Sequence, residues 1–199
     1  SSVTMLPRSD TLLVAGIDGV TSFPSRPQMI SPGPPGPGNL VISRPAHSLT
    51  LAPDGRLLYM LDNSNRLLVY SLGPVAPSLV SSQTLTYTAL ATSTDGSFLY
   101  ATSNARGNVE TFRVETTGAL TSVGAAATGQ YPRGIAVHPT KKVAYVANFD
   151  SNSIGIYDIG SDGALTLRST LALGTSPRTV KLDPGGKFLY TALPNANQV

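Results

Sequence analysis

The 199-residue chain has no cysteine and no tryptophan, only two histidines, and charged residues at 13% of its length. Without cysteine, disulfides, thiolate catalysis and zinc–thiolate sites are excluded. No apolar run approaches the ~20 residues a membrane-crossing helix needs, so no membrane span is expected and the chain reads as soluble. The net charge is +3, yet Lys and Arg are scattered, with no basic run or aromatic-interleaved patch, so nucleic acid is not an expected partner. Two distant histidines leave a metal only oxygen ligands such as Asp150, Asn152 and Asp158, without EF-hand spacing, and neither metal nor cofactor is expected. Glycine-rich phosphate loops, the Gly-x-Ser-x-Gly elbow and His-Glu-x-x-His are missing too. Eleven acidic residues leave few candidates for a carboxylate-pair glycosidase. The Ser/Thr/Ala-rich, cysteine-free composition leans toward an extracytoplasmic bacterial product, with a cytoplasmic one still open.

What the sequence does have is a cassette that recurs: SLTLAPDGRLLYMLDNSN from Ser48, TALATSTDGSFLYATSNARGN from Thr88, GIAVHPTKKVAYVANFDSNS from Gly134 and TVKLDPGGKFLYTALPNAN from Thr179. Its anchor tyrosines, Tyr59, Tyr100, Tyr145 and Tyr190, follow one another at steps of 41, 45 and 45 residues. Such a period falls among β-propeller blades of roughly 40–50 residues. A fainter copy opens the chain, Ser2 to Pro7 lying 46 residues before Ser48 to Pro53, which puts Leu13 on Tyr59.

Each cassette reads as a blade. In the clearest one, Gly134 to Val137 is a short buried strand, His138 to Lys141 a turn, and Val143 to Ala147 a second strand. Ile154 to Ile159 alternates as a third strand, and Ala164 to Leu173 forms a fourth. Gly118-Ala119-Leu120-Thr121 precedes Gly163-Ala164-Leu165-Thr166 by 45 residues, so the fourth strand recurs in register as well. Asp54-Gly55, Asp95-Gly96 and Pro184-Gly185-Gly186 supply tight hairpins. The expected fold is all-β: one antiparallel propeller domain over 1–199, with four-stranded blades, about four and a half of them. Residues 24–45, rich in Pro and Gly, are expected as a loop or linker where the first blade should carry its third and fourth strands. The last cassette stops at the start of a third strand. A seven-bladed ring at this period needs about 315 residues, so the rest of a longer chain, or self-association, is expected to close it and cover the open strand edges.

Superposing the cassettes aligns Ser1, His47, Thr88, Arg133 and Arg178 at the entry of each innermost strand. In a propeller these entries form one rim, so His47, Arg133 and Arg178 are expected to face a common funnel. Arginine offers planar bidentate donors and histidine carries a proton near neutral pH, a combination suited to a small anionic molecule. Channel-entry arginines also serve structure by bonding neighbouring carbonyls. His138 precedes a turn proline and aligns with Ala52, Ser93 and Asp183, which points to a polar turn role.

The stretches Pro132-Arg133-Gly134-Ile135-Ala136-Val137-His138-Pro139 with Ala144-Tyr145-Val146-Ala147-Asn148, and Ser176-Pro177-Arg178 through Asp183 to Tyr190, resemble the seven-bladed lactonase β-propeller family. That family includes bacterial 6-phosphogluconolactonases and fungal carboxymuconate-cyclising enzymes. The chain is similar also to YVTN-repeat propellers, which share the cassette without a common activity. The resemblance implies a lactone hydrolase in which His47 is a general base or acid and Arg133, with Arg178, clamps the substrate's anionic group. Two positions differ from the family pattern: Gly134 stands where a histidine is expected, and Phe149 where an acidic residue often follows the asparagine. The alternative implied is a non-enzymatic propeller acting as a binding or surface-assembly module with a protein partner.

Overall fold

Apolar runs of four to eight residues, separated by Gly, Pro and Asp turns, are too short for helices and fold as strands. The computed structural model describes residues 2–5, 11–16, 19–24, 41–64, 66–72, 77–84 and 86–194, with backbone alone for 2–24 and 41. No α-helix occurs among them, and none is therefore long and apolar enough to cross a membrane. The chain divides into two compact units, residues 1–85 and 86–199.

The first unit holds two four-stranded sheets. One contains β1 (Ser2–Met5), β2 (Thr11–Gly16), β3 (Gly19–Pro24) and β4 (Val41–Ile42), and the other β5 (Ala46–Leu51), β6 (Leu57–Asp62), β7 (Arg66–Leu72) and β8 (Pro77–Thr84). In each, consecutive strands are neighbours and antiparallel. Thr4 pairs with Leu13 as Thr50 pairs with Tyr59, so the faint first cassette folds in the register of the second. The loop expected over 24–45 is corrected at both ends. The third strand is already complete at Pro24, and Val41–Ile42 pairs with Val20 and Thr21 as a short fourth strand. The Pro/Gly-rich stretch between them, 25–40, lies outside the described residues. Leu49, Leu51, Leu58, Met60 and Leu68 pack with Ile42 and Tyr70 into an apolar core, each fully buried aliphatic side chain contributing about 1.5–3 kcal/mol.

The second unit holds β9 (Ala89–Thr92), β10 (Phe98–Ser103), β11 (Asn108–Val114) and β12 (Leu120–Ala127) in one sheet. A second contains β13 (Pro132–Val137), β14 (Val143–Asn148), β15 (Ser153–Ile159) and β16 (Leu165–Ala172), and a third the pair β17 (Thr179–Leu182) and β18 (Leu189–Ala192). All pairings are antiparallel and sequential. The first strand β13 touches both β9 and β17, whereas the fourth strands β12 and β16 are mostly exposed. These sheets are propeller blades with the first strand innermost. The last residues of the final cassette, 195–199, lie outside the described residues.

Apolar layers fill the space between blades. Tyr100 lies fully buried with Ile135, Ala144, Val146 and Tyr157, and the Tyr157 hydroxyl donates to the Ala127 carbonyl at 2.9 Å. The repeat reaches fine detail, because the pairing of third with fourth strand is interrupted at Val69/Tyr70, Thr111/Phe112 and Ile156/Tyr157, equivalent positions of three blades. A bulge there adds local twist at the same point each time.

The turn between first and second strands shows how different residues solve one problem. Gly55, Gly96 and Gly186 take positive φ, at 75°, 76° and 69°, a conformation open to glycine. The equivalent residue in the fourth blade is Lys141, which has no positive φ. There His138 Nδ1 accepts the backbone N–H groups of Thr140 and Lys141 at 3.2 and 3.1 Å. At the same position Ser93 Oγ accepts from the Phe98 N–H, and Asp183 accepts from Gly185 and Phe188. His138 is buried and shapes a turn, as its alignment suggested.

Candidate functional site

Strand entry is where the blades depart from regular pairing. In β5, Ala46 pairs with Asp62 and Ser48 with Leu61, which leaves His47 as the extra residue of a bulge. In β13, Pro132 pairs with Asn148 and Gly134 with Ala147, so Arg133 is the extra residue of the matching bulge. Bulges re-aim side chains and concentrate beside functional sites. Thr88 and Arg178 hold the same place without a bulge, bonded through their N–H groups to the carbonyls of Thr102 and Ala192. Ser1 lies outside the described residues.

In the second unit, the strand entries are locked together. Thr88 Oγ1 donates to the Pro132 carbonyl at 2.7 Å, tying β9 to β13. A Cβ on Gly134 would lie 2.9 Å from Thr179 Cα, 3.0 Å from Val180 N and 3.3 Å from the Arg178 carbonyl oxygen. Only glycine lets β13 approach β17 that closely. The histidine expected at this position thus has no room, and the same approach places Arg178, which is exposed, on the strand beside Arg133.

Arg133 itself is half-buried in an aromatic cradle. Its Cζ lies 4.9 Å from the ring centroid of Tyr131 and 5.1 Å from that of Phe149, the two rings standing 6.3 Å apart at 59°. The cation interacts with both faces. One guanidinium NH₂ donates to the Tyr131 hydroxyl at 3.4 Å, while the buried Nε has no hydrogen-bond partner among the described residues. No carboxylate among them pairs with it. Phe149, which replaces the acidic residue, leaves Arg133 with its charge uncompensated and its planar donors available to an anion. Tyr131 pays a conformational cost to stand there, with φ at 55°, a region rare for bulky residues and concentrated at functional sites. The hydrogen bonds from Arg133 and Asn104, and the Arg133 charge, hold its phenol below the ordinary value.

The first unit brings a carboxylate to its own bulge. Asp62, paired across the sheet with Ala46, is buried at the end of β6. Its Oδ1 accepts the N–H groups of Ser64 and Arg66 at 2.9 and 3.0 Å, and its Oδ2 lies 2.8 Å from Arg66 Nε and 3.4 Å from Arg44. Burial pushes this carboxyl up, but the Arg66 and Ser64 N–H groups and the Arg66 guanidinium outweigh it and hold the group below the usual carboxylate range. His47 is half-buried.

Asp62, Tyr131 and Phe149 were not singled out as site residues. A signal for Asp62 exists: the residue three after each anchor tyrosine is Asp62, Ser103, Asn148 and Leu193, and the first three are buried. Of the oxygen ligands weighed for a metal, Asp158 pairs with Arg168 and Asn152 accepts from Ser176.

A family model described as the lactonase, seven-bladed β-propeller, matches residues 70–170 and again 134–199. The chain belongs to that family. The two matches overlap because successive blades of a lactonase propeller resemble one another. Among solved structures, the periplasmic gluconolactonase of Pseudomonas aeruginosa is 21% identical with a TM-score of 0.68, over 96% of this chain and 56% of that one. A candidate 6-phosphogluconolactonase of Bacteroides fragilis is 21% identical with a TM-score of 0.73, over 96% and 56%. A functionally unknown protein from Desulfotomaculum acetoxidans is 18% identical with a TM-score of 0.73, over 92% and 58%. At these identities the likeness is one of fold. The chain spans little more than half the length of these structures. No curated protein matches it in sequence.

Proposed function

We propose that this lactonase-family chain serves a hydrolase acting on a sugar-acid or related lactone, with the substrate's anionic group held by Arg133 and Arg178. The observation that carries the reading is Arg133: a half-buried guanidinium on a bulge at an innermost strand entry, without a carboxylate partner among the described residues. A carboxylate or phosphate satisfies such a group through charge-assisted bonds. In lactone opening, water attacks the ring carbonyl, a base takes its proton, and the C–O bond breaks as the ring oxygen gains a proton. His47 is the base in this reading.

The test is opening of glucono-1,5-lactone and its 6-phosphate by the purified chain. The expected result is that Arg133→Ala raises KM for the phosphorylated substrate by about 10- to 100-fold, the worth of hydrogen bonds to a charged group. His47→Ala should lower kcat by ~10²–10⁴. Opening undiminished by His47→Ala sinks the mechanism.

A second reading is a rim that binds an anion without hydrolysing it, and the packing at Gly134 favours it, since the family histidine has no space there. It predicts gluconate binding, weakened by Arg133→Ala, without turnover. The family's ring has seven blades and five sheets are described here. The proposal therefore includes further blades from a longer polypeptide or from self-association.

A further inference from the structure

At the end of the blades opposite the strand entries, the second unit contains a cavity of about 310 Å³ between the sheet of β9 to β12 and that of β13 to β16. Its size is at the lower end of small-molecule sites, roughly 300–1,000 Å³. Phe98, Val137 and Ile159 give it an apolar wall, and Lys141 and Lys142 stand at its rim. Neither lysine has an ion pair among the described residues. Asp95 also lines the cavity, but it faces its own turn: it accepts from Ser93 Oγ at 2.6 Å, from the Ser97 N–H at 3.1 Å and from Ser97 Oγ at 3.0 Å. Its hydrogen bonds go to its own turn, and it forms no ion pair with either lysine.

The cavity is fixed by features already described. Phe98 is wedged against the turn closing the next blade, where a Cβ on Gly163 would lie 2.4 Å from its ring. The turn carrying Lys141 is held by the two N–H groups that His138 accepts. This is the one first turn of the four cassettes in which lysine replaces the positive-φ glycine. Two cations beside an apolar wall, neither held in an ion pair among the described residues, form a surface for a molecule with one anionic end and one apolar end.

We propose that this cavity binds a small amphipathic organic anion, an aryl or alkyl phosphate or carboxylate, at a site separate from the Arg133 rim. The anionic group lies against Lys141 and Lys142 and the apolar body against Phe98, Val137 and Ile159.

The experiment uses phenyl phosphate as probe, titrated calorimetrically into the Arg133→Ala/Arg178→Ala chain so that the rim cannot contribute. The expected result is one saturable equivalent, weakened about tenfold or more when Lys141→Ala and Lys142→Ala are added, as for loss of charge-assisted contacts. Benzyl alcohol and inorganic phosphate, each lacking one half of the chemistry, should bind more weakly than phenyl phosphate. Both lysines are exposed, so their removal leaves the fold intact, which circular dichroism checks. Absence of saturable binding in the rim variant, or an affinity unchanged by the lysine substitutions, overturns the proposal. Either result leaves the lactonase reading untouched.

Discussion

Gly134→Ala tests the close packing of β13 against β17. The added Cβ would sit 2.9 Å from Thr179 Cα and 3.0 Å from Val180 N, whereas carbon atoms in contact prefer 3.5–4.0 Å. The obstructing atoms are backbone, so no rotamer change relieves the clash, and β17 must move by more than half an ångström (~0.6 Å). Gly134 has no positive φ, so the cost is purely steric. Overpacking of this kind costs about 1–3 kcal/mol. For a chain of this size, a middle value of about 2 kcal/mol lowers Tm by about 4–8 °C. The assay is a thermal melt followed by circular dichroism, with hydrogen exchange of the β17 and β18 amides. Exchange should quicken there while β5 to β8 stay protected. Gly134→His, which restores the family residue, should be worse than alanine instead of conferring activity. A Gly134→Ala chain that melts within about one degree of the wild type refutes the reasoning, because the close approach would then not be rigid.

Asp62→Asn keeps the side-chain shape but removes the charge facing Arg66 and Arg44, and should cost about 1–3 kcal/mol at neutral pH by urea unfolding. The folded carboxyl lies below its unfolded value of about 3.9, so this stability is present above that value and fades as pH falls through the folded one. The gap between wild type and variant should therefore close in acid, and a gap that persists there contradicts the ion-pair account. His138→Ala strands the N–H groups of Thr140 and Lys141 and should cost about 1–2 kcal/mol; His138→Asp should recover part of it, since Asp183 at the same place one blade later accepts the N–H two residues on. Equal losses in both variants would show that burial of the ring, not its acceptor, matters. Tyr100→Phe removes a buried hydroxyl with no hydrogen-bond partner among the described residues and should be neutral, or stabilising by up to ~1 kcal/mol; a loss above that would reveal a partner for the hydroxyl.

The blades were legible because each repeats a local rule. Alternating apolar residues, a tight turn and an anchor tyrosine recur every 41 to 45 residues, and strand pairing in a meander needs only neighbours in sequence. The correspondence of His47 with Arg133 was legible for the same reason. Their shared bulge shows that alignment by period had found equivalent backbone positions, although Thr88 and Arg178 have none. The loop over 24–45 was misplaced at its ends because Val41–Ile42 is only two residues long and carries no periodic signal of its own.

What the sequence determined by itself is whatever depends on neighbours along the chain: strands, turns, blade period, and the residue types at each strand entry. Tertiary structure alone decided what depends on contacts between strands, within a blade and across blades. Phe149 looked like the loss of an acid and proved to be one wall of the Arg133 cradle. Gly134 looked like the loss of a histidine and proved to be the only residue that fits against β17. Asp62, not singled out as a site residue, proved to be buried between Arg44 and Arg66. The physical reason is common to all three: distances between side chains on different strands and turns are set by how those strands pair and pack, which the order of residues along the chain does not state.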